Sequence, residues 1–228
     1  MSIVLLHQAM SLNPEQTRCL VISAMQDLIE QREYLNALDR ALGDGDHGTT
    51  VARGASVAIA ALNQANATDV NELFALAGRA MMKSMGGASG VLFGTFFQGA
   101  EHCPKSRVLD TPTLLLFFKS GLNDLQKKTK ATVGDKTIVD SIVPLINELE
   151  HQGAAPLCDA LVSAADAAEK GARSTVGLVA RFGRARTLGE RAASTQDPGA
   201  TSLSFFFRAL ANHVRHMAQS PPGCENLR

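Results

Sequence analysis

Residues 198–217 read PGATSLSFFFRALANHVRHM. Leu203, Phe206, Phe207, Leu210, Val214 and Met217 recur at helical spacing and predict a helix with one face turned inward. Pro198 opens it where a missing N–H costs nothing. Outward from this segment the same period repeats. Thr111–Lys127 carries Leu114, Phe117, Phe118, Leu122 and Leu125 on one side, and Thr137–Glu150 carries Ile138, Ile142, Leu145 and Leu149. Pro156–Arg173, Thr49–Ala65 and Asn71–Met85 are alanine-rich, and Ser89–Ala100 follows a glycine-rich turn. The first helix opens at Asn13-Pro14-Glu15, a capping side chain, a proline and an acid. Its inward face is Val21, Ile22, Met25, Leu28 and Ile29. No segment shows sustained two-residue alternation. The reading is an all-α single domain of eight helices, a bundle closed around its own core with loops gathered at its two ends. Its bounds are read as 13–219, after an N-terminal extension at 1–12 and before a disordered tail at 220–228.

The 22 basic and 22 acidic residues cancel, which counts against nonspecific nucleic-acid binding and an electrostatic membrane anchor. With no Trp and one Tyr, a base-stacking platform is not expected either. The densest apolar stretch, Leu114–Phe118, is far short of the roughly 20 residues of a membrane span. Met1–Met10 has no basic residue ahead of its apolar run and does not read as a signal peptide. Cys19, Cys103, Cys158 and Cys224 are scattered and read as reduced thiols of a cytoplasmic protein.

Chemistry concentrates between the helices. Gly43-Asp44-Gly45-Asp46-His47-Gly48-Thr49-Thr50, with Asp39 just upstream, places three carboxylates within eight residues. Carboxylates this close repel, and a hard cation such as Mg²⁺ or Ca²⁺ relieves them. A helix starts at Gly48, so free amides and the helix dipole stand ready for an anion. Asp and Gly are also ordinary turn residues, but the extra Asp39 and the adjoining helix start favour a metal beside a phosphate. Met85-Gly86-Gly87-Ala88-Ser89-Gly90 is a second small-residue turn before a helix. Thr129–Thr137 offers a cation, a carboxylate and hydroxyls at another helix start, although Asp or Thr ahead of Ile138 also makes an ordinary cap. Arg181–Gly199 lacks helical period and holds Arg181, Arg184, Arg186 and Arg191, which suit phosphate. No Walker A, protein-kinase or Rossmann motif is found in the sequence.

These segments resemble the nucleotide-binding L subunit of dihydroxyacetone kinase (the DhaL family). The resemblance rests on Leu38-Asp39-Arg40, Gly43–Gly48, Gly86–Gly90, Gly134–Thr137, Gly183-Arg184-Ala185 with Leu188–Arg191, and Asp197–Ala200, in order across residues 13–218. It implies an eight-helix antiparallel barrel with a nucleotide site in the loops at one end. It implies that Asp39, Asp44 and Asp46 hold two Mg²⁺ ions. The nucleotide, ADP or ATP, is implied to meet His47, Gly48, Thr49, Thr50, Ala88, Ser89, Thr129, Ile138, Arg184, Asp197, Pro198 and Gly199. The family usually has Gly-Lys-Ala and Met where this chain has Thr129-Lys130-Ala131 and Ile138, a departure on the adenine side. The resemblance implies a phosphotransferase subunit with no catalytic residue of its own beyond the Mg-nucleotide site. Such a subunit is implied to be active only with a separate K-type subunit that holds the ketose covalently. Whether ADP stays bound and is rephosphorylated by an M-type phosphotransferase-system protein, or ATP exchanges freely, is left open. Two alternatives stand beside it: a non-catalytic module that binds another protein, such as a transcription regulator, and a kinase subunit for a related ketose such as a tetrulose.

Overall fold

Three of the helices start at a side-chain cap that the sequence supplies. In α1 (Pro14–Glu30) the Asn13 side chain accepts from the Gln16 amide at 2.9 Å while Gln16 returns the bond to the Asn13 amide at 3.0 Å. Asp69 and Asp110 do the same one-sidedly, each accepting at 2.9 Å, for α4 (Val70–Met85) and α6 (Thr111–Gln126). The remaining helices are α2 (Arg32–Arg40), α3 (His47–Gln64), α5 (Gly87–Gln98), α7 (Val139–Gln152), α8 (Leu157–Ser174) and α9 (Pro198–Gln219). Short 3-10 turns at Gly99–His102 and Arg184–Ser194 complete the list among the residues that the computed structural model describes, 11–219. Most of the expected N-terminal extension and all of the expected tail lie outside them.

Eight of these helices are the eight read from periodicity. The ninth, α2, separates from α1 at Gln31, whose ψ of 5° breaks the helical path. Among the described residues the only extended pairing is one isolated antiparallel bridge, Leu12 with Leu109. No described helix is long and apolar enough to cross a membrane. Cys103 and Cys158 are free thiols, and Cys224 lies outside the described residues.

Successive helices pack as neighbours around a ring, α1 against α3, then α4 through α8 in order, and α9 closes on α1. Consecutive helices pack as antiparallel neighbours, most of them over short connections and α8 with α9 across a long one. Its inside is aromatic. Phe96 of α5 stacks on Phe118 of α6 at 4.9 Å, Phe97 meets Phe206 of α9 edge-on at 5.0 Å, and Phe118 meets Phe207 at 5.0 Å. Phe74 of α4 reaches Phe117 and Phe118 at 5.6 and 5.9 Å. Such pairs add about 0.5–1.5 kcal/mol each beyond the area they bury. The rings therefore lock α4, α5, α6 and α9 to one another from within.

A close crossing lies where the end of α5 meets α6. A Cβ on Gly99 would lie 2.1 Å from the Gly121 nitrogen, and one on Gly121 would lie 2.1 Å from the Phe96 carbonyl oxygen. Both obstacles are backbone and cannot swing aside. Gly121→Ala is expected to force the helices apart and cost about 1–3 kcal/mol. That lowers the melting temperature by roughly 2–12 °C for a chain of this size. Leu116→Ala on the exposed side of the same helix stays within about 2 °C. Calorimetry of both variants checks the contrast.

Candidate functional site

The acidic loop is built around Asp39, at the end of α2. Its Oδ2 accepts from the amides of Gly45 (3.0 Å), Asp46 (3.1 Å) and His47 (3.3 Å). Gly45 takes a φ of 76°, which an L side chain rarely adopts, and this turn brings Asp46 back toward Asp39. One carboxylate oxygen from each of Asp39, Asp44 and Asp46 then lies within 4.8 Å of the others. The Asp46 carboxyl is pushed above the usual range by burial and by the charges of Asp44 and Asp39. Arg184, reaching from the far arm, bonds Asp44 and holds it below that range. Three clustered oxygen donors, with one arginine as the nearby counter-charge, fit a hard divalent cation such as Mg²⁺.

Asp46 stands at the N-cap of α3, but its side chain makes no capping bond and is left for the cluster. The first turn of α3 is fixed from behind. Thr49 donates its amide to Asn36 Oδ1 at 2.9 Å and its hydroxyl oxygen accepts from Asn36 Nδ2 at 3.0 Å. Gly48 packs so closely that a Cβ would lie 2.0 Å from the Arg32 carbonyl oxygen. The buried His47 ring places Nε2 2.9 Å from Ser202 Oγ, joining α3 to α9. Burial lowers its pKa, against the opposing charge of Asp39, so the ring is neutral at pH 7.

Opposite the acids, Gly86 and Gly87 carry φ values of 71° and 58° and turn the chain from α4 into α5. The amides of the first turn of α5, at Gly87, Ala88 and Ser89, lack helical acceptors. Arg53 of α3 braces this turn by donating to the carbonyls of Ser84 (2.7 Å) and Met85 (2.8 Å). Behind the turn, the loop before α7 is organised by Asp140. Its two oxygens accept from the amides of Gly134 (2.6 Å) and Thr137 (2.7 Å). The expected cap from Asp135 or Thr137 is corrected in part: Asp135 instead accepts from Thr132 and pairs with Arg181 at 3.2 Å. The Thr137 hydroxyl does accept from the Val139 amide, at 3.2 Å. Asp197, before α9, accepts from the Ala200 amide at 2.7 Å. Burial, reinforced by the charge of Asp140, pushes its carboxyl up to about 7.

These parts surround one cavity of about 690 Å³. Asp39, Asp44, Asp46, His47, Thr50, Ala88, Ser89, Thr129, Ile138, Arg184, Asp197, Pro198 and Gly199 line it. Gly48 and Thr49 do not; their roles here are close packing and the bond to Asn36. Of the four arginines in 181–191 only Arg184 reaches the cavity. The loop around them is not irregular throughout, since two 3-10 turns meet at Gly189. Sequence reading missed Arg53 and gave Lys136 no role in the site, although both line the cavity. Leu92, Phe93, Ala131, Ile138 and Val139 give it an apolar wall facing the polar acids.

Residues 41–212 match the DAK2 domain family. The chain is 40% identical over 184 residues to the PEP-dependent dihydroxyacetone kinase ADP-binding subunit DhaL of Escherichia coli (strain K12), across 79% of this chain and 88% of that one. It is 38% identical to the PTS-dependent dihydroxyacetone kinase ADP-binding subunit DhaL of Lactococcus lactis, across 81% of this chain and 90% of that subunit. The crystal structure of the dihydroxyacetone kinase from C. freundii in complex with AMP-PNP and Mg²⁺ superposes with a TM-score of 0.67 at 29% identity, covering 86% of this chain. This chain spans about a third of that enzyme, 33% of its length. A helical ring with an acidic cavity at one end, and sequence agreement across most of both chains, place this chain in the DAK2 domain family, among the DhaL-type subunits of dihydroxyacetone kinases.

Proposed function

We propose that the cavity holds ADP or ATP with two Mg²⁺ ions, and that the chain transfers a phosphoryl group to a ketotriose, dihydroxyacetone, held covalently by a separate K-type subunit. The observation that carries this reading is the meeting of Asp39, Asp44 and Asp46 within 4.8 Å, in a cavity that also collects Ser89, Arg184 and an apolar wall. Bound Mg²⁺ would supply charge neutralisation between phosphate oxygens. The protein's own groups do the rest. The amides at Gly87–Ser89 and the Arg184 guanidinium offer fixed positive potential where charge spreads during transfer. Thr129 and Ile138 give the base its apolar edge, and the Asp197-Pro198-Gly199 step forms the floor. Neutral His47 keeps the starts of α3 and α9 in register. Phosphoryl transfer asks mainly for alignment and charge, and this inventory supplies both.

The C. freundii enzyme carries AMP-PNP and Mg²⁺, and the two bacterial subunits are named as ADP-binding and as PEP- or PTS-dependent. These names support the route in which ADP stays in place and is rephosphorylated by an M-type phosphotransferase-system protein.

Asp44→Asn should weaken Mg-ADP binding by more than about a hundredfold, since even the outer partners of metal ligands cost up to that. Circular dichroism should stay unchanged; wild-type affinity by titration calorimetry would refute the metal assignment. Native mass spectrometry of the purified protein should find one ADP with two magnesium ions, and a single magnesium would correct the count. With ATP and dihydroxyacetone alone the chain should form no triose phosphate, and addition of a K-type subunit should start turnover. Full activity without that partner would remove the two-subunit reading.

A further inference from the structure

Between α8 and α9 the chain leaves the ring as an arm, residues 176–196, and returns. The arm crosses to the acidic loop, where Ala180 and Ala192, with Ala185 and Leu188 beside them, pack on Leu42. This small apolar seat is separate from the main core. From its far side Arg184 reaches Asp44, although the arginine side chain is 72% exposed. An exposed ion pair on so small a seat holds its own position weakly. Beyond a tie at Arg181, whose amide donates to the Asp135 carbonyl at 3.2 Å, what holds the arm lies at its base.

Lys136 sits there. Only 1% of it is exposed, and lysine is almost never so buried without partners. Its partners are two main-chain carbonyls: Nζ donates to Thr175 on the outgoing stem at 2.7 Å and to Thr195 on the returning stem. The Thr175 hydroxyl accepts from the Asp197 amide at 2.8 Å, and the Gly177 amide donates to Ala193 at 2.7 Å, so the stems are stitched at the same level. Lys136 is also the one non-glycine residue with positive φ among those described, at 60°. A left-handed backbone at a lysine costs about 1–3 kcal/mol and persists where the surroundings over-determine it. Asp140 holds the amides of Gly134 and Thr137 on either side of it, which fixes that conformation and aims the side chain between the stems.

We propose that Lys136 is a positioning residue for nucleotide binding: by cross-tying both stems of the 176–196 arm it sets the Arg184 guanidinium over the acidic cluster. Its effect passes through Arg184. The inference rests on the reading of the cavity as a Mg-nucleotide site.

A double-mutant cycle separates this from a general role in folding. Lys136→Met keeps the buried stem and removes the donor. Mg-ADP affinity and dissociation rate are measured for wild type, Lys136→Met, Arg184→Ala and the double variant, each confirmed folded by circular dichroism. Each single change should weaken Mg-ADP by about ten- to a hundredfold, the worth of one hydrogen bond to a charged group. Mostly the dissociation rate should rise. The double variant should match Arg184→Ala within about twofold, as expected when one residue works through the other. Unchanged affinity in Lys136→Met, or losses that multiply in the double variant, would overturn the proposal. Should Lys136→Met fail to fold, Lys136→Gln, which keeps a donor for one stem, takes its place in the same cycle with the same outcomes. A wild-type protein that does not bind Mg-ADP would instead overturn the reading of the cavity, so the two failures are distinct.

Discussion

Asp39 accepts from three successive amides, those of Gly45, Asp46 and His47, and the rest of the site depends on that arrangement. A carboxylate that gathers backbone N–H groups can tolerate other carboxylates nearby, because part of its charge is answered by dipoles. Asp44 and Asp46 are thereby drawn to the same point without a lysine among them. The raised pKa of Asp46 records its burial first and then the residual repulsion from Asp44 and Asp39. That repulsion is the reason the cluster suits a cation better than a structural network would. The break at Gln31 serves the same end. A straight continuation of α1 would carry Asp39 away from the ring, whereas the separate α2 brings it beside the start of α3.

The ring supplies what the loops lack. Carboxylates, free amides and a buried aspartate at one end all raise local free energy, and the interlocked Phe74, Phe96, Phe97, Phe118, Phe206 and Phe207 offset it from inside the bundle. His47 and Arg53 transmit this rigidity upward. Each is rooted in α3, and each bonds a neighbouring element at the rim: α9 through Ser202, and the end of α4 through its carbonyls. The acidic loop and the glycine turn are therefore held at fixed spacing by the same helix.

Periodicity made the long helices legible. Leu203, Phe206, Phe207 and Leu210 face the core as their spacing demands, and Leu114, Phe117 and Phe118 do so in α6. It could not separate α2, since nine residues with Leu35 as the one buried apolar side chain carry too short a pattern. In the site, motif residues close together in the chain were legible because the chemistry of D-G-D beside a helix start is local. Arg53 and the bracing role of Asn36 were not, since their bonds span 31–32 and 13 residues and leave no local pattern. Gly48 and Thr49 went the other way. Sequence places them at a helix N-terminus, where amides are free, but only three-dimensional packing shows the Arg32 carbonyl against one and Asn36 on the other.

The distribution of polar burial separates two kinds of task within this molecule. Asp140 and Lys136 are nearly inaccessible, and each answers main-chain groups: amides for the first, carbonyls for the second. Buried charges satisfied by backbone define where loops stand, since a lost partner leaves a costly orphan. Asp44 and Arg184 are exposed and answer each other, so water and ions can replace either at small cost. An ordered scaffold of buried charge thus carries a labile pair at its rim. Such a rim can exchange a protein partner for a cation or a phosphate without disturbing the helices beneath, because the bonds that fix the loops are not the bonds that a ligand would break.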